Sequence, residues 1–207
     1  MITGATIRGV ELSALMVAIE LFQSRRLCAS PEGSDIMVVE RTELAPDSRL
    51  RMNVMDGDFL DCYSVSLSDR ADVSIGEIAQ RIFIGLPCWI RTLLAVRDAA
   101  IIPFGLKATA SLPTDNTIRP SIKPGDAISF LRVRSIDDNE IVLGEDDRHL
   151  DFKIAVRRDP QQPNRISLAT WVHTHNRLGD AYLRMISRFH VMIVRSRLTA
   201  LARHFAV

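Results

Sequence analysis

Apolar and polar residues alternate along much of the second half of the chain, which is the signature of strands with one buried face. Within 148–157 the apolar positions are Leu150, Phe152, Ile154 and Val156, and within 165–175 they are Ile166, Leu168 and Val172. Further strands are predicted at 36–39, around Phe59, Tyr63, Val65 and Leu67 with Asp61 interrupting that face, at 127–134 and at 140–143. The turns between the later strands are Asp137-Asp138-Asn139, Gly144-Glu145-Asp146 and residues 159–164. Connections that short favour antiparallel hairpins.

Elsewhere the apolar period is helical. Leu12, Leu15, Met16 and Ile19 lie on one face of a helix predicted at about 10–26. Ser74 and Glu77 form a capping box ahead of Ile75, Ile78, Ala79, Ile82 and Phe83. Gly85 stops that helix, and Pro87 opens a second one carrying Ile90, Leu93, Leu94 and Ile101 and ending by Pro103. Leu178, Tyr182, Met185, Ile186, Phe189, Ile193 and Val194 stripe a long final helix over 177–204, with Asn176 placed as its N-cap. Residues 106–125 contain Pro113, Pro120, Pro124 and Gly125 and have no period, so they read as a lid or as a disordered loop. Residues 28–35 read as a linker, giving an N-terminal amphipathic helix and linker over 1–35 and a main domain over 36–207. The order is α+β: an early strand, two short helices, several antiparallel strands, a long C-terminal helix.

Composition narrows the function classes. Over 207 residues, 26 Lys and Arg against 25 Asp and Glu leave a net charge of +1, which removes the electrostatic argument for a dedicated nucleic-acid binder. Apolar runs fall short of the roughly 18 residues of a membrane span. Glu11 and Glu20 bracket the first apolar stretch and Arg25 and Arg26 follow it, which is unlike a signal peptide. Cys28, Cys62 and Cys88 make neither a disulfide framework nor a zinc pattern and read as buried thiols of a cytoplasmic protein. The Arg residues at 184, 188, 195, 197 and 203 read as a solvated face of the last helix. No P-loop, Rossmann, GxSxG or HExxH motif is present, and no cofactor is expected.

Candidate chemistry follows from pairing the two even-patterned strands. With the even residues facing the core, the odd residues share the opposite face. Pairing about the Gln161-Gln162 turn sets His149 opposite His173, Asp147 opposite His175 and Asp151 opposite Trp171, while a slip by two residues keeps the patch and changes its partners. Such a patch can be a polar outer face, a contact site for a polar ligand, a general-base pair or a metal site built on His149, His173 and His175. Arg148 and Arg177 each call for an anion, and Glu145 or Asp146 are the protein candidates for Arg177.

The segments Gly144-Glu145-Asp146-Asp147-Arg148-His149-Leu150-Asp151-Phe152 and His173-Thr174-His175-Asn176-Arg177-Leu178-Gly179, with Trp89-Ile90-Arg91 and Gly105-Leu106-Lys107, resemble an uncharacterised bacterial family of unknown function. The order of elements is similar to the helix-grip superfamily of START-like and polyketide-cyclase-like proteins. That resemblance implies a curved antiparallel sheet wrapped around the C-terminal helix, with an apolar ligand cavity between them. The resulting expectation is a protein that binds a small apolar or amphipathic molecule there. Phe152, Ile154, Val172, Tyr182 and Phe189 would line or border the cavity, His149, His173, His175 and Arg177 would handle a polar end if they reach its mouth, and Asp147, Arg148, Asp151 and Trp171 are further ligand-binding candidates. The alternatives are an enzyme acting on a small metabolite through the His/Asp patch, and an interaction module that uses the N-terminal helix, with a homo-oligomer among its expected partners.

Overall fold

A computed structural model of the chain describes residues 38–68, 73–101, 115–146 and 150–206. The strands are β1 (Glu40–Arg41), β2 (Phe59–Ser66), β3 (Ala127–Ile128), β4 (Leu131–Ile136), β5 (Glu140–Asp146), β6 (Leu150–Arg158) and β7 (Arg165–Thr174). The helices are α1 (Ile75–Phe83), α2 (Cys88–Ile101) and α3 (Arg177–His204), with a short 3-10 helix at Arg49–Asn53. The strands form one antiparallel sheet in the order β1-β2-β7-β6-β5-β4-β3. The early strand β2 therefore pairs with the last one, β7, while β3 to β7 follow one another as a meander. This is an α+β fold with a long C-terminal helix against the sheet.

The parity argument holds. The even residues of β6 and β7 face the helices, together with Tyr63 and Val65 of β2 and Ile141 and Leu143 of β5. Ile78 and Ile82 of α1 and Val194, Leu198 and Leu201 of α3 complete that core. Each fully buried Ile or Leu here contributes about 1.5–3 kcal/mol. The opposite face is not left to water. Leu44 and Leu50, from the segment that carries the 3-10 helix, cover Cys62, Val142, Ala155, Ala169 and Trp171 in a second, smaller core. Buried Glu140 fixes this cover: its carboxylate accepts from Ser48 Oγ at 2.5 Å and from the Arg49 N–H at 2.8 Å.

Several boundaries differ from those predicted. The expected strand at 127–134 is two strands, because Ser129, with φ 55°, turns the chain at a two-residue hairpin joining Ile128 to Leu131. The strand at 140–143 continues to Asp146, since Gly144 lets the backbone of β6 approach. A Cβ at Gly144 would lie 2.3 Å from the Phe152 carbonyl oxygen. The strand predicted at 36–39 appears as Glu40–Arg41 within the described residues. The described part of the proline-rich segment is tied down rather than loose. Asp115 and Ser129 exchange backbone hydrogen bonds at 2.9 and 2.7 Å, and the buried Gln80 amide pairs with the Arg119 N–H and C=O at 2.7 and 2.9 Å. Residues 106–114 and the predicted helix at 10–26 lie outside the described residues.

The helix signals are met. Ser74 Oγ accepts from the Glu77 N–H at 3.2 Å, and Asn176 Oδ1 accepts from the Gly179 N–H at 3.0 Å. Arg197 departs from the expected solvated face. It is buried, and its guanidinium donates to the carbonyls of Ile82 at 2.6 Å, Arg81 at 2.8 Å and Ile84 at 3.4 Å. These are the carbonyls that the end of α1 leaves without helical partners, so the cation both caps α1 and anchors it to α3. Replacing Arg197 by Met is expected to lower unfolding stability by about 3 kcal/mol, since each buried carbonyl left unpaired costs about 1–3 kcal/mol. Urea denaturation checks this, and an unchanged midpoint would remove the capping role.

Candidate functional site

The predicted site residues divide between the two faces of the sheet. Asp147, Arg148 and His149 lie outside the described residues. Asp151, Trp171, His173 and His175 gather on the face covered by the 3-10 segment, whereas Phe152 and Tyr182 lie on the helix side. The register of β6 on β7 is two residues from the primary pairing. Asp151 stands opposite His173, and Lys153 opposite Trp171. A two-residue slip preserves which side chains face the core, so hydrophobic patterning cannot distinguish the two registers.

On the outer face the organising residue is Asp58, which sequence reasoning did not find. Its side chain is 4% exposed. It accepts from Trp171 Nε1 at 2.7 Å and from the Met55 N–H at 2.9 Å, and pairs with His173 Nδ1 at 2.6 Å. Burial alone raises the Asp58 pKa, but the hydrogen bonds from His173, Met55 and Trp171 together outweigh it and hold the carboxyl below its ordinary value. The His173 ring stacks on Trp171 (centroids 6.3 Å apart, planes at 11°) and meets His175 edge-on at 5.2 Å. His175 Nε2 lies 3.2 Å from Asp151 Oδ2, and Lys153 Nζ sits 5.3 Å from the Trp171 ring centroid. In the tautomer that donates Nδ1–H to Asp58, Nε2 is the acceptor nitrogen of His173. This is an oriented imidazole, 31% exposed, of the kind that serves as a base or ligand. Among the described residues no group of three or more His, Cys, Asp or Glu is placed to hold a metal.

On the helix side, α3 behaves differently along its length. Beyond residue 193, Val194, Leu198, Leu201 and Ala202 are buried against the core. Before it, Leu183, Ile186, Phe189, Val191, Met192 and Ile193 all remain partly exposed. Phe59 and Phe152 on the strands are partly exposed too, around a small cluster of Leu150, Val172 and Tyr182. Tyr182 also links α3 to α2, its hydroxyl accepting from Arg97 Nε at 2.7 Å. In the same interlayer, Asp61 (6% exposed) pairs with His190 Nε2 at 3.2 Å, and Phe59 packs edge-on against the His190 ring at 6.0 Å. The only sequence signal for this pair was the interruption of the β2 apolar face by Asp61. Arg177, expected to pair with Glu145 or Asp146, is exposed, and Glu145 and Asp146 are engaged by Arg132 and Arg134.

A family described as "Protein of unknown function (DUF2867)" matches residues 54–197. The chain belongs to this family. No curated protein and no solved structure matches the chain. The DUF2867 stretch takes in Asp58, Asp61, Trp171, His173 and His190, and leaves out Ser48 and Leu50 of the outer cover. Among the described residues no single helix is long and apolar enough to cross a membrane. The α1–α2 pair qualifies only when its two helices, bent by 74°, are taken together, and α1 is buried in the core.

The thiols were expected to be buried, and Cys88 is exposed. Cys62 is buried, and burial first, then the neighbouring Asp61 charge, push its pKa up to about 12 against the opposing pull of Arg165. In a Cys28→Ser background, alkylation at pH 8 followed by peptide mapping is expected to label Cys88 and spare Cys62 in the folded protein. Asp58 gives a pH-dependent prediction. Its carboxyl is depressed in the fold, so its stabilisation is complete above its unfolded value of about 3.8 and is lost as pH falls through the lower folded value. Asp58→Asn is expected to cost about 1–3 kcal/mol at pH 7. In urea titrations across pH, the gap to the unsubstituted protein should narrow below pH 3.8.

Proposed function

We propose that the protein binds a small apolar or amphipathic molecule between the sheet and the N-terminal half of α3. The observation that carries this is the contrast along one helix. The half ending at Ala202 is sealed onto the core, whereas Leu183 and Ile186 pack with Phe59 and Phe152 around Leu150, Val172 and Tyr182 and leave apolar surface accessible on both layers. Partly open apolar surfaces facing each other across two layers are what a ligand groove offers. The native mass of freshly purified protein, compared with its denatured mass, is expected to show a retained molecule of lipid or metabolite size. Ile186→Trp, which fills the groove from the helix side, should lower that occupancy severalfold. A protein that retains nothing and takes up no amphiphile in either form would contradict the reading.

A second reading, an enzyme acting on a small metabolite, is favoured by one observation, the Asp58–His173 pair on the other face. A buried carboxylate that fixes one nitrogen of a partly exposed imidazole is an arrangement suited to a general base. His173→Ala would abolish such an activity and leave uptake of an amphiphile on the helix side unchanged.

A further inference from the structure

Among the described residues, the buried side-chain atoms without a hydrogen-bond partner are Asp61 Oδ2, Thr170 Oγ1, Glu145 Oε1 and Arg158 Nε. The last two are answered in other ways. Glu145 has Arg132 and Arg134 within 3.6 Å, and Arg158 donates through its Nη2 to the Val73 carbonyl. Asp61 and Thr170 remain. They are directly opposed residues of β2 and β7 and share the helix-facing side of the sheet, at 6% and 5% exposure. Opposed side chains have Cβ atoms about 5 Å apart, yet these two do not bond to each other. Their row across the sheet runs Leu143, Ile154, Thr170, Asp61, and the next row runs Glu145, Phe152, Val172, Phe59. An acceptor and a hydroxyl thus sit side by side at one end of an apolar floor, beneath His190 of α3.

We infer that the molecule held in the groove ends in a hydrogen-bond donor, a hydroxyl or a protonated amine, seated between Asp61 Oδ2 and Thr170 Oγ1. This rests on the groove reading above and specifies the ligand class. A buried acceptor or hydroxyl left unpaired carries a desolvation cost that only a matching group removes. A ligand hydroxyl donates to Asp61 and accepts from Thr170. An ammonium donates to both. A carboxylate can only accept from Thr170 and would set a second acid group against Asp61. Fatty acids are therefore discriminated against, and alcohols and amines of the same shape are taken.

The test is a matched series titrated into the full chain at pH 7.5 and followed by NMR. It uses 1-octanol, octylamine and octanoate, and 2-naphthylmethanol, 2-naphthylmethylamine and 2-naphthoate. The alcohol and amine of at least one scaffold are expected to bind about tenfold or more tightly than the acid, the size of one charge-assisted hydrogen bond. Asp61→Asn should erase that margin, and Thr170→Val should weaken both donors. Equal binding of all three head groups, or preference for the acid, overturns the inference and leaves the groove standing, with water between Asp61 and Thr170. A margin that survives Asp61→Asn also overturns it. Failure of every compound to bind overturns the groove reading itself, and this inference with it.

Discussion

The packing of α3 on the inner face of β2 and β7 and against α1 is the contact on which the rest of the structure depends. Its C-terminal half seals the core with Val194, Leu198 and Leu201, and Arg197 locks it to the end of α1 through three backbone carbonyls. Its N-terminal half is held by Tyr182, by the Asn176 cap and by Thr174 Oγ1 donating to Asp180 at 2.5 Å. Between these anchors the helix meets the sheet through partly exposed side chains and through one buried polar pair, Asp61 and His190. A helix pinned at both ends can tolerate a middle of partly exposed side chains, because the sealed half supplies most of the buried apolar contact. That is the physical condition for keeping a groove in a stable fold.

The sheet is buried on both faces, and the two faces do different work. The inner face carries the main core and, at its partly exposed end, the surface proposed to bind a ligand. The outer face is covered by the 3-10 segment, which is clamped at Glu140 and again at Asp58. Asp58 satisfies Trp171 and orients His173 in one step, so a structural clamp and an exposed imidazole come from the same carboxylate. The polar outer face expected from parity is therefore a covered layer with a histidine edge.

Much of the fold was legible in the sequence because it rests on periodicity. The even-numbered apolar positions of β6 and β7, the capping box at Ser74 and the span of α3 follow from spacing alone. What was not legible depends on partners distant in sequence. Asp58 reaches His173 across 115 positions with no local pattern to mark it, and Asp61 reaches His190 across 129, marked only by the interruption of the β2 apolar face. The register of β6 on β7 differed by two residues because both registers bury the same side chains. Arg197 looked like one more charge on a basic face because the carbonyls it caps belong to α1, brought there only by tertiary packing. Of the expected site residues that are described, Asp151, Trp171, His173 and His175 lie on one side of the sheet and Phe152 and Tyr182 on the other.

The central claim, that α3 is sealed over one half and open over the other, is tested most directly by native-state hydrogen exchange along the helix. Amides at 194–202 are expected to exchange only through global unfolding, whereas those at 183–193 exchange through smaller openings with measurably lower protection. Uniform protection along all of α3, at the level of the core strands, would contradict the account.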